Sequence, residues 1–387
     1  MEILIINDYS DTFASMEEPL FLNPDGTRTR FPIGWEGKGR YLPGSLKLYR
    51  ASDNTPIDPN IYSEEENGIF FNFTSAPASG SYEDIIVRYI VNPEDYAFSM
   101  GTKDSAYPGE EYFLFPNWNN AKGCGDAFWV GKYAAAHADA TTSSQGSSGI
   151  PVSKKNVCSW VNTTWTNQVN SCPTKGEGFH CIRNREWVSI ARWSDIIGLT
   201  VYGNWNGYTN TSNIDGQGTA ITSDIADNSV NHDNKTNVML RTGMGPNTFR
   251  HNGKSDGISD MVGNVWECVD GLQLRNGVPY VFAEDNSTYV ALATNDMSTS
   301  TTNPTLISYI NNNTEDLFNE GLPVDTAGYT VQNTHPGGFW RTRSGTKICH
   351  RGASCADVDG AGMWALLLYQ EPSLSVWHYG FRLARSL

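Results

Sequence analysis

The 387-residue chain carries 42 acidic against 27 basic side chains, a formal net charge of -15 and a pI near 4.8. That balance repels phosphate backbones and excludes nucleic acid as a primary partner. Hydrophobic residues make up 39% of the chain and aromatics 12%, enough for more than one core, yet no apolar run is long enough for a secretory signal or a membrane span, so no membrane insertion is expected.

Residues 1–100 alternate short apolar runs with turn clusters: Ile3 to Ile6, Gly44 to Tyr49, Gly68 to Phe73 and Ile85 to Val91. Short runs of β-branched and aromatic residues bounded by Pro and Gly read as antiparallel strands, and about seven of them make an immunoglobulin-like β-sandwich. No catalytic residue type clusters there, so this region is read as an attachment or spacer domain. The polar stretch Gly101 to Gly109 suits a boundary, with a second domain spanning 110–387.

Two helices are legible in the second domain. Asn162-Thr163-Thr164 offers an N-cap for Trp165, Val169 and Cys172 at i, i+4 and i+7. Asn184 reads as the N-cap of a helix with Trp187, Ile190 and Ala191 on its core face. From Gly198 to Ser255 and from Glu284 to Gly328 the chain is polar and rich in Asn, Gly and Thr, the composition of binding loops on a small scaffold. Seven cysteines with no C-x-x-C announce neither a disulfide framework nor a zinc site, and buried reduced thiols are the expectation, although Cys172 and Cys181 are near enough in sequence to meet. The seven histidines show no H-x-x-x-H spacing.

The segment Asp260-Met261-Val262-Gly263-Asn264-Val265-Trp266-Glu267 resembles the D-x-x-G-N-V-W-E signature of the formylglycine-generating enzyme family. Three further matches follow family order: Phe128 to Tyr133, Ile182 to Trp187, and Arg351-Gly352-Ala353-Ser354 with Gly380-Phe381-Arg382. Ala353 stands where the family usually has glycine. The resemblance covers about 125 to 387 and implies an α+β domain with the C-type lectin fold of the formylglycine-generating enzyme type. In calcium-binding relatives the motif supplies ligands at the positions matching Asp260, the Gly263 and Val265 carbonyls, and Glu267. Isolated carboxylates more often pair with Arg or backbone, so calcium is an alternative and no cofactor the expectation.

Family members that make formylglycine use two cysteines after the Arg-Gly-Gly-Ser frame, at places that fall here on Asp357 and Gly362. Cys355 lies two residues too early, and no enzyme is expected. The arrangement Ala361-Gly362, Ala365-Leu366, Gly380-Phe381-Arg382 is similar instead to the variable proteins of diversity-generating retroelements, whose C-terminal segment is rewritten at adenines. The resemblance implies a variable region of about 351–382. Ala356, Asp357, Asp359, Leu367, Tyr369, Leu374, Val376 and His378 are each reachable from an Asn codon by changing adenines alone. With Trp377 and Tyr379 they form the candidate ligand-binding set. Trp364, Leu366 and Leu368 read as a buried strand face and Leu367 and Tyr369 as an exposed one.

The expected partner is a protein or glycan on a target cell surface, contacted from a virion or cell surface. A formylglycine-type oxidase acting on sulfatases and an undiversified carbohydrate-binding lectin are the alternatives.

Overall fold

The computed structural model describes residues 14–102, 105–205, 239–292, 320–322, 337–357 and 360–387, with 301–306 as backbone. It divides into two compact units, Met1–Trp118 and Asn119–Leu387. Ile3 to Ile6, Asp359 and much of the two polar loop regions lie outside the described residues. The fold is mixed α and β, mostly strands with few helices among the described residues.

In the first unit the strands are β1 (Ser15–Pro19), β2 (Arg30–Pro32), β3 (Lys47–Arg50), β4 (Tyr62–Glu64), β5 (Phe70–Phe73), β6 (Ile85–Ile90) and β7 (Tyr112–Pro116), with helix α1 (Pro93–Met100) before the last. Two antiparallel three-stranded sheets result, ordered β1-β6-β3 and β2-β5-β4. Apolar residues meet where the sequence alternates: Leu48 and Val87 in one sheet and Phe31 and Phe71 in the other are at most 1% exposed. Helix α1 starts where the Asn92 side chain accepts the amides of Glu94 and Asp95. The β7 strand belongs to this unit, its Leu114 amide donating to the Gly37 carbonyl at 2.9 Å. The division between units therefore falls later than the composition change near 101–109.

The second unit contains β8 (Ala127–Gly131), β9 (Ala136–His137), β10 (Pro151–Val152), α2 (Trp165–Ser171), β11 (Phe179–Cys181), α3 (Asn184–Ile196), β12 (Trp266–Arg275), β13 (Val278–Phe282), β14 (Tyr289–Ala291), β15 (Thr301–Leu306), β16 (Gly338–Arg341), β17 (Thr346–Gly352), β18 (Gly362–Leu368), β19 (Tyr379–Phe381) and β20 (Leu383–Ser386). The main sheet runs β14-β13-β12-β17-β18-β16-β15, and β19 adds to β12 in parallel. Strands β11, β20 and β8 are neighbours in that order, with antiparallel pairing.

Thr164 caps α2 by accepting the Asn167 amide at 3.2 Å, as its position before Trp165 predicts. Helix α3 begins one residue earlier than its sequence suggests. Arg183 is the cap residue, its amide held by the Glu186 carboxylate at 2.8 Å, and Asn184 is already helical. Every residue from Asn184 to Ser194 is buried, so α3 is an interior helix rather than an amphipathic surface one. Its Trp187 indole donates to the Met363 carbonyl at 2.8 Å and its Asp195 accepts the Trp364 indole at 2.7 Å, which fixes α3 against β18.

Candidate functional site

Two buried arginines hold the C-terminal frame. Arg351 at the end of β17 and Arg382 after β19 are both 0% exposed. Burying a guanidinium is costly unless its N–H groups are matched. Arg382 Nε reaches Glu267 Oε2 at 2.9 Å, and its other nitrogens reach the Gly131 and Ser259 carbonyls at 2.8 and 2.7 Å. Arg351 donates to Asn184 Oδ1 at 3.1 and 2.8 Å and to the Trp364 and Glu320 carbonyls. Strands β12, β17, β18 and β19 and helix α3 are thereby tied together behind one surface.

The Asp260 to Glu267 motif serves that frame. Gly263 has a φ of +70°, and an added Cβ would lie 2.2 Å from the Asn204 carbonyl oxygen, so glycine is required there. The Asn264 side chain accepts the Leu240 amide at 2.7 Å and donates to its carbonyl, splinting an adjacent segment. Asp260 Oδ2 accepts the Gly243 amide at 2.7 Å. Burial pushes the Glu267 carboxyl up to about 7, against the pull of Arg382. Both Glu267 oxygens face that guanidinium, which places a fixed positive charge where a cation would have to bind. The donor set does not fit calcium.

Against this frame lies the segment from Tyr369 to His378. Its backbone is pinned at intervals. The Gln370 carbonyl accepts the Ile348 amide at 3.0 Å, the Val376 carbonyl accepts Asn162 at 3.1 Å, and the His378 carbonyl accepts Trp266 at 2.9 Å. Internal turns close it further, with Leu374 donating to Glu371 and Tyr379 to Val376. The side chains are less confined. Tyr369 is 37% exposed, and Leu374, Val376, Trp377 and His378 are half-buried. Beside Tyr369 an open groove of about 600 Å³ runs past Thr342, Ser344, Gln370, Ser373 and Leu374, with a Lys347–Glu371 ion pair of 3.2 Å in its lining.

All five of these side chains stand on one pinned segment, with no constellation of nucleophile and base among them. Trp377 differs, because it also packs against the buried cluster of Ala134, Cys158, Val161, Met239, Val265 and Cys355. A row of rings continues inward: His378 lies 4.9 Å from Trp377 and 4.7 Å from Tyr379, which lies 4.5 Å from His350. The Nδ1 atoms of His350 and His378 are buried without hydrogen-bond partners. Burial lowers their pKa values to about 3 and about 4 respectively.

Two of the candidate residues are corrected by this geometry. Leu367 is 6% exposed, because β18 runs between β16 and β17 and Leu367 sits in register with Trp340 on one side and His350 on the other. Trp364, Leu366 and Leu368 are buried and Tyr369 is exposed as expected, but Leu367 is not exposed, since Met363 to Leu368 are all buried and both faces of the strand proper are covered. Tyr379 is 4% exposed, as β19 pairs with β12 and its ring lies between two imidazoles. Neither offers an open contact surface.

Ala356 and Asp357 are half-buried in the turn after β17. Asp357 Oδ2 accepts the Ser354 amide and hydroxyl at 2.8 and 2.6 Å, a local cap rather than a free acid, and burial raises its pKa. Sequence reasoning missed the groove residues Thr342, Ser344 and Lys347. The Glu371-Pro372-Ser373 turn beside them is the signal that could have pointed there. No family model matches this chain, and no curated protein matches it.

Proposed function

We propose that this chain is a ligand-binding protein with the C-type lectin fold of the formylglycine-generating enzyme type, preceded by an immunoglobulin-like attachment domain. Its C-terminal segment is diversified by a retroelement, and it is displayed on a virion or cell surface to contact a protein or glycan on a target cell. One observation carries the reading: from Gln370 to His378 the segment is held by main-chain hydrogen bonds, while Tyr369, Leu374, Val376 and His378 remain accessible at their side chains. A backbone fixed independently of side-chain identity loses little conformational entropy on contact and accepts substitution without refolding. Tyr369 and Trp377 supply the amphipathic rings that binding surfaces favour.

Among the described residues the binding set is narrower than the sequence suggests, comprising Ala356, Tyr369, Leu374, Val376, Trp377 and His378 with the groove beside Tyr369, while Asp359 stays a candidate outside the described residues. The formylglycine-type oxidase has less support. Cys355 is 1% exposed and burial pushes its thiol up, the opposite of an activated nucleophile.

Sequencing around the coding region tests the diversification. A near-copy of the stretch encoding residues 351–382, differing at adenines and lying beside a reverse transcriptase gene, is expected, and a locus without one removes the claim. Binding is tested separately by labelling a panel of cells and glycans with the intact chain and with Tyr369→Ala. A target that the intact chain labels and the variant labels at least tenfold more weakly supports the surface, whereas equal labelling by both overturns it.

A further inference from the structure

The groove beside Tyr369 has two walls from different parts of the chain. One is the turn from β16 into the start of β17, which contributes Thr342, Ser344 and Lys347, and the other is the segment after β18, which contributes Glu371, Ser373 and Ser375 with the Tyr369 ring at its start. Both walls are fixed through their backbones. The Thr342 amide donates to the Leu368 carbonyl at 3.1 Å, the Ile348 amide to the Gln370 carbonyl at 3.0 Å, and the Gly345 carbonyl accepts the Asn276 amide at 2.9 Å.

Lys347 is 5% exposed, and the largely exposed Glu371 carboxylate, 3.2 Å away, is its only hydrogen-bond partner among the described residues. An ammonium carries three donors, so two remain for a ligand. The hydroxyls of Thr342, Ser344, Ser373 and Ser375 likewise have no hydrogen-bond partner among the described residues.

We infer, building on the reading of this face as the binding surface, that the groove takes a neutral saccharide. A sugar hydroxyl both donates and accepts, which matches walls of Ser and Thr hydroxyls around an ammonium set beside a carboxylate. The Tyr369 ring, 37% exposed, offers an apolar face to the C–H side of a pyranose. At about 600 Å³ the groove is of small-ligand size, and apart from Tyr369 and Leu374 its lining side chains are polar, so it lacks the apolar pocket that a protein partner's anchor residue fills. An acidic sugar is disfavoured, because Glu371 already offsets Lys347 and the chain carries a net charge of -15.

The walls differ in one further respect. Thr342, Ser344 and Lys347 precede the proposed variable stretch of 351–382, whereas Tyr369, Glu371, Ser373 and Ser375 fall inside it. The first wall then reads what sugars share, and the second sets which sugar is taken.

The full chain applied to an array of immobilised neutral and acidic oligosaccharides should bind one or more of the neutral ones. Ser344→Ala, an exposed change on the first wall, should weaken binding about threefold to tenfold for every sugar bound, the effect of one lost hydrogen bond. Tyr369→Phe keeps the ring and should stay within about twofold of the parent. Cells that the chain labels should lose the label after mild periodate, which cleaves the vicinal diols of sugars. Labelling that survives periodate would overturn the saccharide and leave a protein as the ligand of the same face. Binding confined to acidic sugars, or unchanged in Ser344→Ala, would overturn the assignment as well. A chain that labels neither cells nor sugars would remove the binding reading itself.

Discussion

Arg351 and Asn184 lie 167 positions apart in sequence, yet the amide oxygen of Asn184 accepts two guanidinium hydrogen bonds from Arg351 at 2.8 and 3.1 Å. The same Asn184 donates to the Glu320 carboxylate at 2.9 Å, and Glu320 pairs with Arg185 at 2.6 Å. Helix α3 and strand β17 are joined at this point through a fully buried polar network.

Arg351→Lys should therefore destabilise the second unit by about 3 kcal/mol, because one ammonium cannot span the Asn184 oxygen and the Trp364 and Glu320 carbonyls together. Chemical denaturation measures it. A loss below about 1 kcal/mol would mean that the network is redundant.

On the binding segment the expectation reverses. Tyr369→Ser, Leu374→Asn and Val376→Asn should each cost less than about 1 kcal/mol, since the hydrogen bonds that hold the loop are main-chain ones. Trp377→Ala should cost about 2 kcal/mol, because Trp377 packs against the buried cluster that contains Val161, Val265 and Cys355. Equal costs across the four variants would contradict this division between anchor and accessible positions.

Ala353 adopts a φ of +72° at 0% exposure, in the left-handed region that L-residues other than Asn and Asp rarely visit. Ala353→Gly should stabilise the protein by about 1 kcal/mol through relief of that strain, partly offset by the greater freedom of glycine in the unfolded chain. Thermal melting of the two proteins decides it, and an unchanged or lower midpoint would refute the strain.

Acid should act through His378, whose pKa burial lowers to about 4. The unfolded chain binds the proton from about pH 6.5 downward while the folded chain resists until about pH 4, so this histidine's contribution is present above that window and lost as pH falls through it. Buried carboxyls such as Glu267, whose pKa is raised to about 7, act in the opposite sense, so the comparison must be made against a variant. Relative to the parent, His378→Gln should gain at most about 1.4 kcal/mol per pH unit between pH 6.5 and 4. Parallel stability curves for the two proteins would show that the imidazole titrates normally.

How much of this was legible in the sequence varied with how local the determining interaction was. The Thr164 cap, three strands of the first unit and the turn at Gly263 follow from neighbours in the chain, and each was readable. The start of α3 was misplaced by one residue because the Glu186 side chain, returning to the Arg183 amide, chose a different cap from the Asn that propensity favours. The burial of Leu367 was not readable at all. It depends on β16 lying in parallel on one side of β18 and β17 on the other, partners set by distant parts of the chain. An Ala-Leu strand whose two faces are both covered looks in sequence like one with a single buried face.

The enclosure of β18 on both sides has a genetic corollary. A copying process that corrupts adenines cannot spare a codon by its position, only by its spelling. Tryptophan, alanine and leucine, which fill Trp364 to Leu368, can all be written without that base. In such a lineage the interior strand would be shielded by codon choice, while the accessible stretch that follows it, from Tyr369 to His378, is left open to rewriting.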